Sequence, residues 1–341
     1  MEPPLKAGME PPLKAGMEPP RLEDVLAAKD RVYAHMRPSP LLHHPLLDEW
    51  IGCRVWVKHE NHNPTGSFKV RGGLNLVGQL EDRERQQGVI AASTGNHGQS
   101  LALACQLHGI RCRVVVPVDS NPDKMAALRA FGAELLEHGR DFDEAREYVE
   151  GVALREGWRY VHNANEPLLI AGVGTYASEI FDALERVDFV FVPIGGGSGA
   201  AGCGIVRDGL GRSTRIVGVQ AHRADAFARS WRGPTRVTCE RAETFAEGIA
   251  TRTTFDLTFS MLKASLDDVV ALEESELREG VTAAIQFTHN LAEGAGAAAL
   301  VAARRYGVPK DATVVCVMSG GNADMRTLRH TLARGPGDRA G

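Results

Sequence analysis

Metal-site and disulfide spacing is missing from this chain. Its six cysteines, Cys53, Cys105, Cys112, Cys203, Cys239 and Cys316, form no Cys-x-x-Cys pair. Zinc sites and secreted disulfide frameworks are recognised by such spacing, so reduced thiols in a cytoplasmic protein are expected. No charge sign dominates either: 39 Lys and Arg against 43 Asp and Glu leave a net charge of −4. That balance fits neither a nucleic-acid-binding surface nor a disordered acidic tail. Apolar runs such as Asp188 to Ile194 are short, far below the roughly 20 residues that cross a bilayer. No charged-then-apolar leader opens the chain, so no membrane or secretory role is expected.

What is present is length and glycine. The 341 residues include 37 glycines and are 43% hydrophobic, enough for one large α/β domain or two domains. The first twenty residues repeat MEPPLKAG twice and begin a third copy. A unit this rich in Pro, Gly and charge cannot bury a core, so residues 1–20 are expected to be a disordered tail. Residues 331–341, rich in Gly and Arg, are expected to form a loose tail as well.

Between the tails, short apolar runs alternate with amphipathic stretches. The expected strands are Arg54–Lys58, Val89–Ala92, Arg113–Pro117, Phe189–Ile194, Ile216–Val219 and Thr313–Met318. Several are unbroken Val/Ile runs, the pattern of strands covered on both faces. Helices are expected over His97–His108, Asp123–Phe131, Asp143–Arg155, Thr175–Leu184 and Leu291–Arg305. The alternation predicts an α/β fold with open, mainly parallel twisted sheets flanked by helices. In such folds ligands sit beyond the carboxyl ends of strands, against helix N-termini.

Four Gly/Ser-rich turns fall at those positions. Asn63 to Gly73 contains Lys69 between Phe68 and Val70. A desolvated lysine there has a lowered pKa and a nucleophilic amine able to form a Schiff base; a solvated turn lysine is the ordinary alternative. Ser93-Thr94-Gly95-Asn96-His97-Gly98 opens a helix after a strand, which suits a carboxylate, although plain N-capping needs no ligand. Gly195-Gly196-Gly197-Ser198-Gly199 offers converging backbone N–H groups to a phosphate. Gly197 to Gly202 also matches the dinucleotide fingerprint. That reading needs a carboxylate after the next strand, where Gln220 stands instead. Ser319-Gly320-Gly321-Asn322 closes the last strand. Together these turns offer a lysine nucleophile, a carboxylate receptor, a phosphate cradle and a neutral hydroxyl, the set that pyridoxal phosphate and an amino acid require.

The order and wording of these motifs, from about Pro40 to Asp324, resemble the fold-type II pyridoxal-phosphate enzymes of the tryptophan synthase β family. The branch that looks most similar is the threonine/serine ammonia-lyase (dehydratase) and serine racemase group. Supporting stretches are Glu166-Pro167 with Ile170 to Thr175, Ala246 to Ala250 and Glu293 to Ala297. Cysteine synthases look less similar, because they usually carry a threonine where His97 stands.

The resemblance implies that Lys69 carries the cofactor and moves the Cα proton, with Phe68 against the ring and Asn96 on the ring hydroxyl. Gly195, Gly196, Gly197, Ser198 and Gly199 would hold the phosphate, Ser198 standing where many relatives have another glycine. Ser93, Thr94, Asn96 and His97 would surround the substrate carboxylate, and Ser319 would face the ring nitrogen. A serine there cannot protonate the ring as an aspartate would, which favours prompt loss of a β-leaving group over transamination. Thr94, also a catalytic candidate, stands where racemases use a serine; its methyl crowds that face.

Other departures bear on specificity. Gln220 and Ala226 replace carboxylates of metal-bound relatives; hard cations want anionic oxygens, so no magnesium or calcium is expected there. Gly294 replaces a common proline, and Arg146 matches an arginine near the substrate in racemases. The chain ends soon after Ser319, so no isoleucine-regulated domain is expected. The resemblance implies a large cofactor-binding domain, 21–87 plus 166–330, with a small mobile domain, 88–165, inserted in it and the cofactor in the cleft. The expected function is β-elimination from L-threonine or L-serine to a 2-oxo acid and ammonia, in a cytoplasmic homodimer or homotetramer. A 3-hydroxyaspartate or phenylserine dehydratase and a racemase are the alternatives within the family. A nicotinamide oxidoreductase and a silent binding protein are the remote ones.

Overall fold

The computed structural model describes residues 17–93, 95–140 and 142–333, so most of the N-terminal repeat lies outside the described residues. Among the described residues, ten strands form two sheets. They are β1 (Leu41–His43), β2 (Arg54–His59), β3 (Val89–Ala92), β4 (Cys112–Val116), β5 (Glu134–Glu137), β6 (Arg159–Tyr160), β7 (Phe189–Pro193), β8 (Arg215–Ala221), β9 (Asp268–Leu272) and β10 (Thr313–Met318). The larger sheet has the order β1-β2-β10-β7-β8-β9, and the smaller has β5-β4-β3-β6. Only β1 is antiparallel to its neighbour; every other pairing is parallel.

The unbroken apolar runs are the central strands because both of their faces are covered. In β10, Val314, Cys316 and Met318 enter one core with Phe189 and Phe191 of β7. Val315 and Val317 enter another with Val190 and Val192. The helices Glu274–Thr288 and Gly294–Tyr306 cover the first face, and Leu22–Tyr33, Pro167–Ala183 and Ser198–Gly209 cover the second. The smaller sheet is divided likewise: Val89, Ala91, Val114 and Val116 face one core, and Ile90, Ala92 and Val115 face the other.

Element boundaries differ from expectation where packing or caps decide them. The helix expected from Thr175 begins at Pro167, whose fixed φ suits a first turn. Asn121 Oδ1 accepts from the Asp123 amide at 2.9 Å and starts the helix Pro122–Ala130. At the other end of the chain, the helix Met325–Ala333 continues beyond residue 330, with Thr331 buried, so the expected C-terminal tail does not begin at residue 331. No helix among the described residues is long and apolar enough to cross a membrane.

Candidate active site

Each of the four turns follows the carboxyl end of a parallel strand: β2, β3, β7 and β10 respectively. The first and fourth are joined by the backbone. Phe68 N donates to Ser319 O at 3.1 Å and Gly321 N to Gly66 O at 2.9 Å, with a bridge between Ser67 and Gly320. Lys69 is therefore not on a free turn. It opens the helix Lys69–Val77, which packs against Pro167–Ala183 and Asn96–Leu107.

Lys69 Nζ donates to Ser198 Oγ at 3.1 Å and to the Asn163 carbonyl at 3.4 Å, and lies 5.2 Å from the Phe68 ring centroid. Burial pushes the amine down to about 8, because an ammonium loses its hydration there. Lys69 is thus half-buried and hydrogen-bonded rather than a free, solvated turn lysine.

The third turn is held close to its surroundings. A Cβ on Gly195 would come within 2.2 Å of the Gly248 carbonyl, and Gly197 has φ +90°, a conformation that costs glycine little. Ser198, 2% exposed, begins the helix Ser198–Gly209. Thr258 Oγ1 donates to Gly196 O at 2.7 Å, and Tyr176 Oη to Gly199 O at 2.8 Å.

In the second turn, Ser93 Oγ accepts from the amides of Gly95 at 3.2 Å and Gly98 at 3.0 Å. The N-cap position itself is Gly95, and Ser93 reaches the third helical amide from two residues earlier. Thr94 lies outside the described residues. Asn96 Nδ2 donates to Glu293 Oε1 at 2.7 Å, and its Oδ1 accepts from Asn322 Nδ2 at 2.7 Å. That pairing fixes which way the amide faces. Burial holds the Glu293 carboxyl above its usual range, opposed by the Asn96 N–H. His97 is 6% exposed, with Nε2 3.4 Å from Val161 O. Burial, helped by Lys69, pushes it down to about 3 and keeps it neutral. Ser319 is buried at the end of β10.

Lys69, Phe68, Asn96, Ser198 and Ser319 are thus tied together by direct contacts or shared neighbours. Their donor set fits pyridoxal phosphate: a partly neutral amine beside an aromatic face, glycine amides at a helix N-terminus, and an amide and a hydroxyl for ring atoms. Thr65 Oγ1 and Ser67 Oγ, buried in the lysine turn, have no partner within the described chain and keep polar capacity for a ligand. Sequence reading missed the supports of this set. Glu293 and Asn322 stood inside quoted motifs without a role. Thr258, Tyr176 and His162, whose Nδ1 accepts from the amides of Ala164 and Asn165 at 3.0 Å each, carried no signal. Of the departures, Gln220 is used within the fold: its Oε1 accepts from Ala228 N at 2.8 Å. Arg146 pairs with Glu150 at 2.8 Å on its own helix.

Residues 32–320 match the model of the family described as pyridoxal-phosphate dependent enzyme. An L-threonine ammonia-lyase of Thermotoga maritima is 34% identical over 314 residues, covering 92% of this chain and 78% of that one. A catabolic L-threonine dehydratase of Escherichia coli K12 is 33% identical, covering 89% of this chain and 93% of its own length. Among solved structures, the processed threonine deaminase isoform 2 of Solanum lycopersicum superposes with a TM-score of 0.87 at 30% identity, covering 92% of this chain and 91% of that one.

Proposed function

We propose that this chain, which belongs to the pyridoxal-phosphate dependent enzyme family, is an ammonia-lyase. In this reading it removes the β-hydroxyl of L-threonine or L-serine and releases a 2-oxo acid and ammonia. One observation carries the reading: in a chain similar over nine-tenths of its length to threonine ammonia-lyases, the Lys69 amine is lowered to about 8 and held against the glycine turn at Ser198.

When bound, pyridoxal phosphate supplies an aldehyde that captures the substrate amine and a ring that spreads the charge left as the Cα–H bond breaks. Lys69 is the attachment point and, once free, the base that takes the Cα proton; its lowered pKa leaves a useful neutral fraction near pH 8. The amides of Gly195 to Gly199 and the positive end of Ser198–Gly209 would hold the phosphate. Asn96, fixed by Glu293 and Asn322, keeps a second N–H that would serve the ring hydroxyl. Ser93 and the amides that open Asn96–Leu107 receive the substrate carboxylate, with Thr94 beside them. His97, kept neutral, brings no positive charge to that carboxylate. Ser319 would offer the ring nitrogen a hydroxyl and no carboxylate, and the weaker electron store that results would favour departure of the β-hydroxyl over transamination.

Residues 88–165, which contain the smaller sheet, form the part that closes over substrate. Lys124, within that segment, pairs with Glu247 outside it. We further infer a cytoplasmic homodimer or homotetramer, the assembly implied by the family resemblance. Borohydride reduction of the holoenzyme followed by peptide mapping tests the attachment. The reduced cofactor is expected on the peptide containing Lys69, and a label on any other lysine contradicts the assignment.

A further inference from the structure

Lys69 stands where two helices begin. It is the first residue of Lys69–Val77, and its amine reaches the first residue of Ser198–Gly209. Both N-termini present positive partial charge, which disfavours an ammonium, and burial acts in the same direction. His97 is the titratable group facing the amine from Asn96–Leu107, and it is held neutral. Against these effects Lys69 Nζ has two acceptors: the Asn163 carbonyl at 3.4 Å and Ser198 Oγ at 3.1 Å. The hydroxyl is the shorter contact. It is also a departure, since Ser198 stands where many family members have glycine, which offers no acceptor.

We infer that Ser198 is a positioning residue for the free amine: its hydroxyl is where Lys69 rests, carrying a proton, while it is detached from the cofactor. This rests on Lys69 being the attachment point and adds a role for Ser198 beyond holding phosphate. A hydroxyl accepts from an ammonium and donates onward at the same time, so the rested lysine stays coupled to the phosphate turn. Ser198 is 2% exposed and fixed at a helix start, so the acceptor is already in place and costs little reorganisation. The arrangement keeps the proton-bearing amine within the site after it has taken the Cα proton.

The test uses the full chain freed of cofactor and a phosphate-free probe, pyridoxal. Capture joins the lysine nitrogen to the aldehyde carbon and releases water. Only the neutral amine attacks, so the ammonium first gives its proton to solvent, and the pH midpoint of capture, read by absorbance, reports the Lys69 equilibrium. Losing one acceptor destabilises the ammonium. In Ser198→Ala and Ser198→Gly the midpoint is expected to fall by roughly one pH unit. The glycine variant guards against misfolding, because the turn is already glycine at residues 195–197. A midpoint unchanged in both variants, with only pyridoxal phosphate capture weakened, overturns the inference and leaves Ser198 as a phosphate donor alone. A wild-type chain that captures neither aldehyde, like Lys69→Ala, contradicts the attachment itself, a failure distinct from an unshifted midpoint.

Discussion

His97 and His59 show how far single side chains depart from their ordinary chemistry in this protein. His97 sits beside Lys69 at 6% exposure, and His59, fully buried at the end of β2, lies 3.0 Å from the His44 ring nitrogen. Burial is the main cause that brings both down to about 3 from an ordinary 6.5. The unfolded chain therefore takes up protons between pH 6.5 and 3 while the folded chain does not, so stability falls as pH falls through that window. The expected loss is about 1.4 kcal/mol per pH unit per histidine. Denaturant unfolding of wild type and His97→Asn at pH 7 and pH 5 measures it. The variant is expected to lose less between the two values, and equal losses contradict the assignment.

At the scale of elements, what positions Lys69 is a buried ion network beneath its helix. Arg71, fully buried, donates to Glu60 at 2.7 Å and to Glu179 at 2.6 Å. Lys58 also donates to Glu179, and Tyr33 Oη does so at 2.7 Å. The network ties β2, Lys69–Val77, Pro167–Ala183 and Leu22–Tyr33 together. Removing one partner from such a set leaves a buried charge uncompensated and costs about 3–5 kcal/mol. Glu179→Ala is expected to show that loss in denaturant unfolding. Lys29→Ala, which breaks the surface pair with Asp182, should change stability by less than about 1 kcal/mol. Comparable losses in the two variants would remove the network from this role.

The same elements show which parts of the molecule can be read from sequence. Strands β3 and β10 were legible residue for residue because unbroken apolar runs mark buried parallel strands. The short strands β1, β5 and β6 lack that run, whereas β9 carries one, Val269 to Leu272, and was missed all the same. Ser198–Gly209, SGAAGCGIVRDG, was not among the expected helices because its glycines blur the apolar stripe, and its buried face packs on Pro167–Ala183. Glycine in Lys69–Val77 misleads in the same way: Gly72 lets the backbone of Leu169 approach, at 2.9 Å from where a Cβ would lie. The ion network was invisible because Arg71 and Glu179 are 108 residues apart in the chain.

For the whole molecule, two mainly parallel sheets bring four distant turns to one place, which is why the chemistry was legible as a set before any single turn was convincing. Glycine, serine and lysine at strand ends report local backbone needs, and those survive in sequence. The supports Glu293, Asn322 and Thr258 depend on the fold that assembles them. The measurement that tests the central claim most directly is 2-oxo acid and ammonia release from L-threonine, L-serine, threo-3-hydroxyaspartate and L-phenylserine, with Lys69→Ala beside the wild type. The account predicts equal amounts of the two products, fastest from threonine or serine, and none from Lys69→Ala. No release from any of the four by cofactor-loaded wild type, or undiminished release by Lys69→Ala, would contradict it.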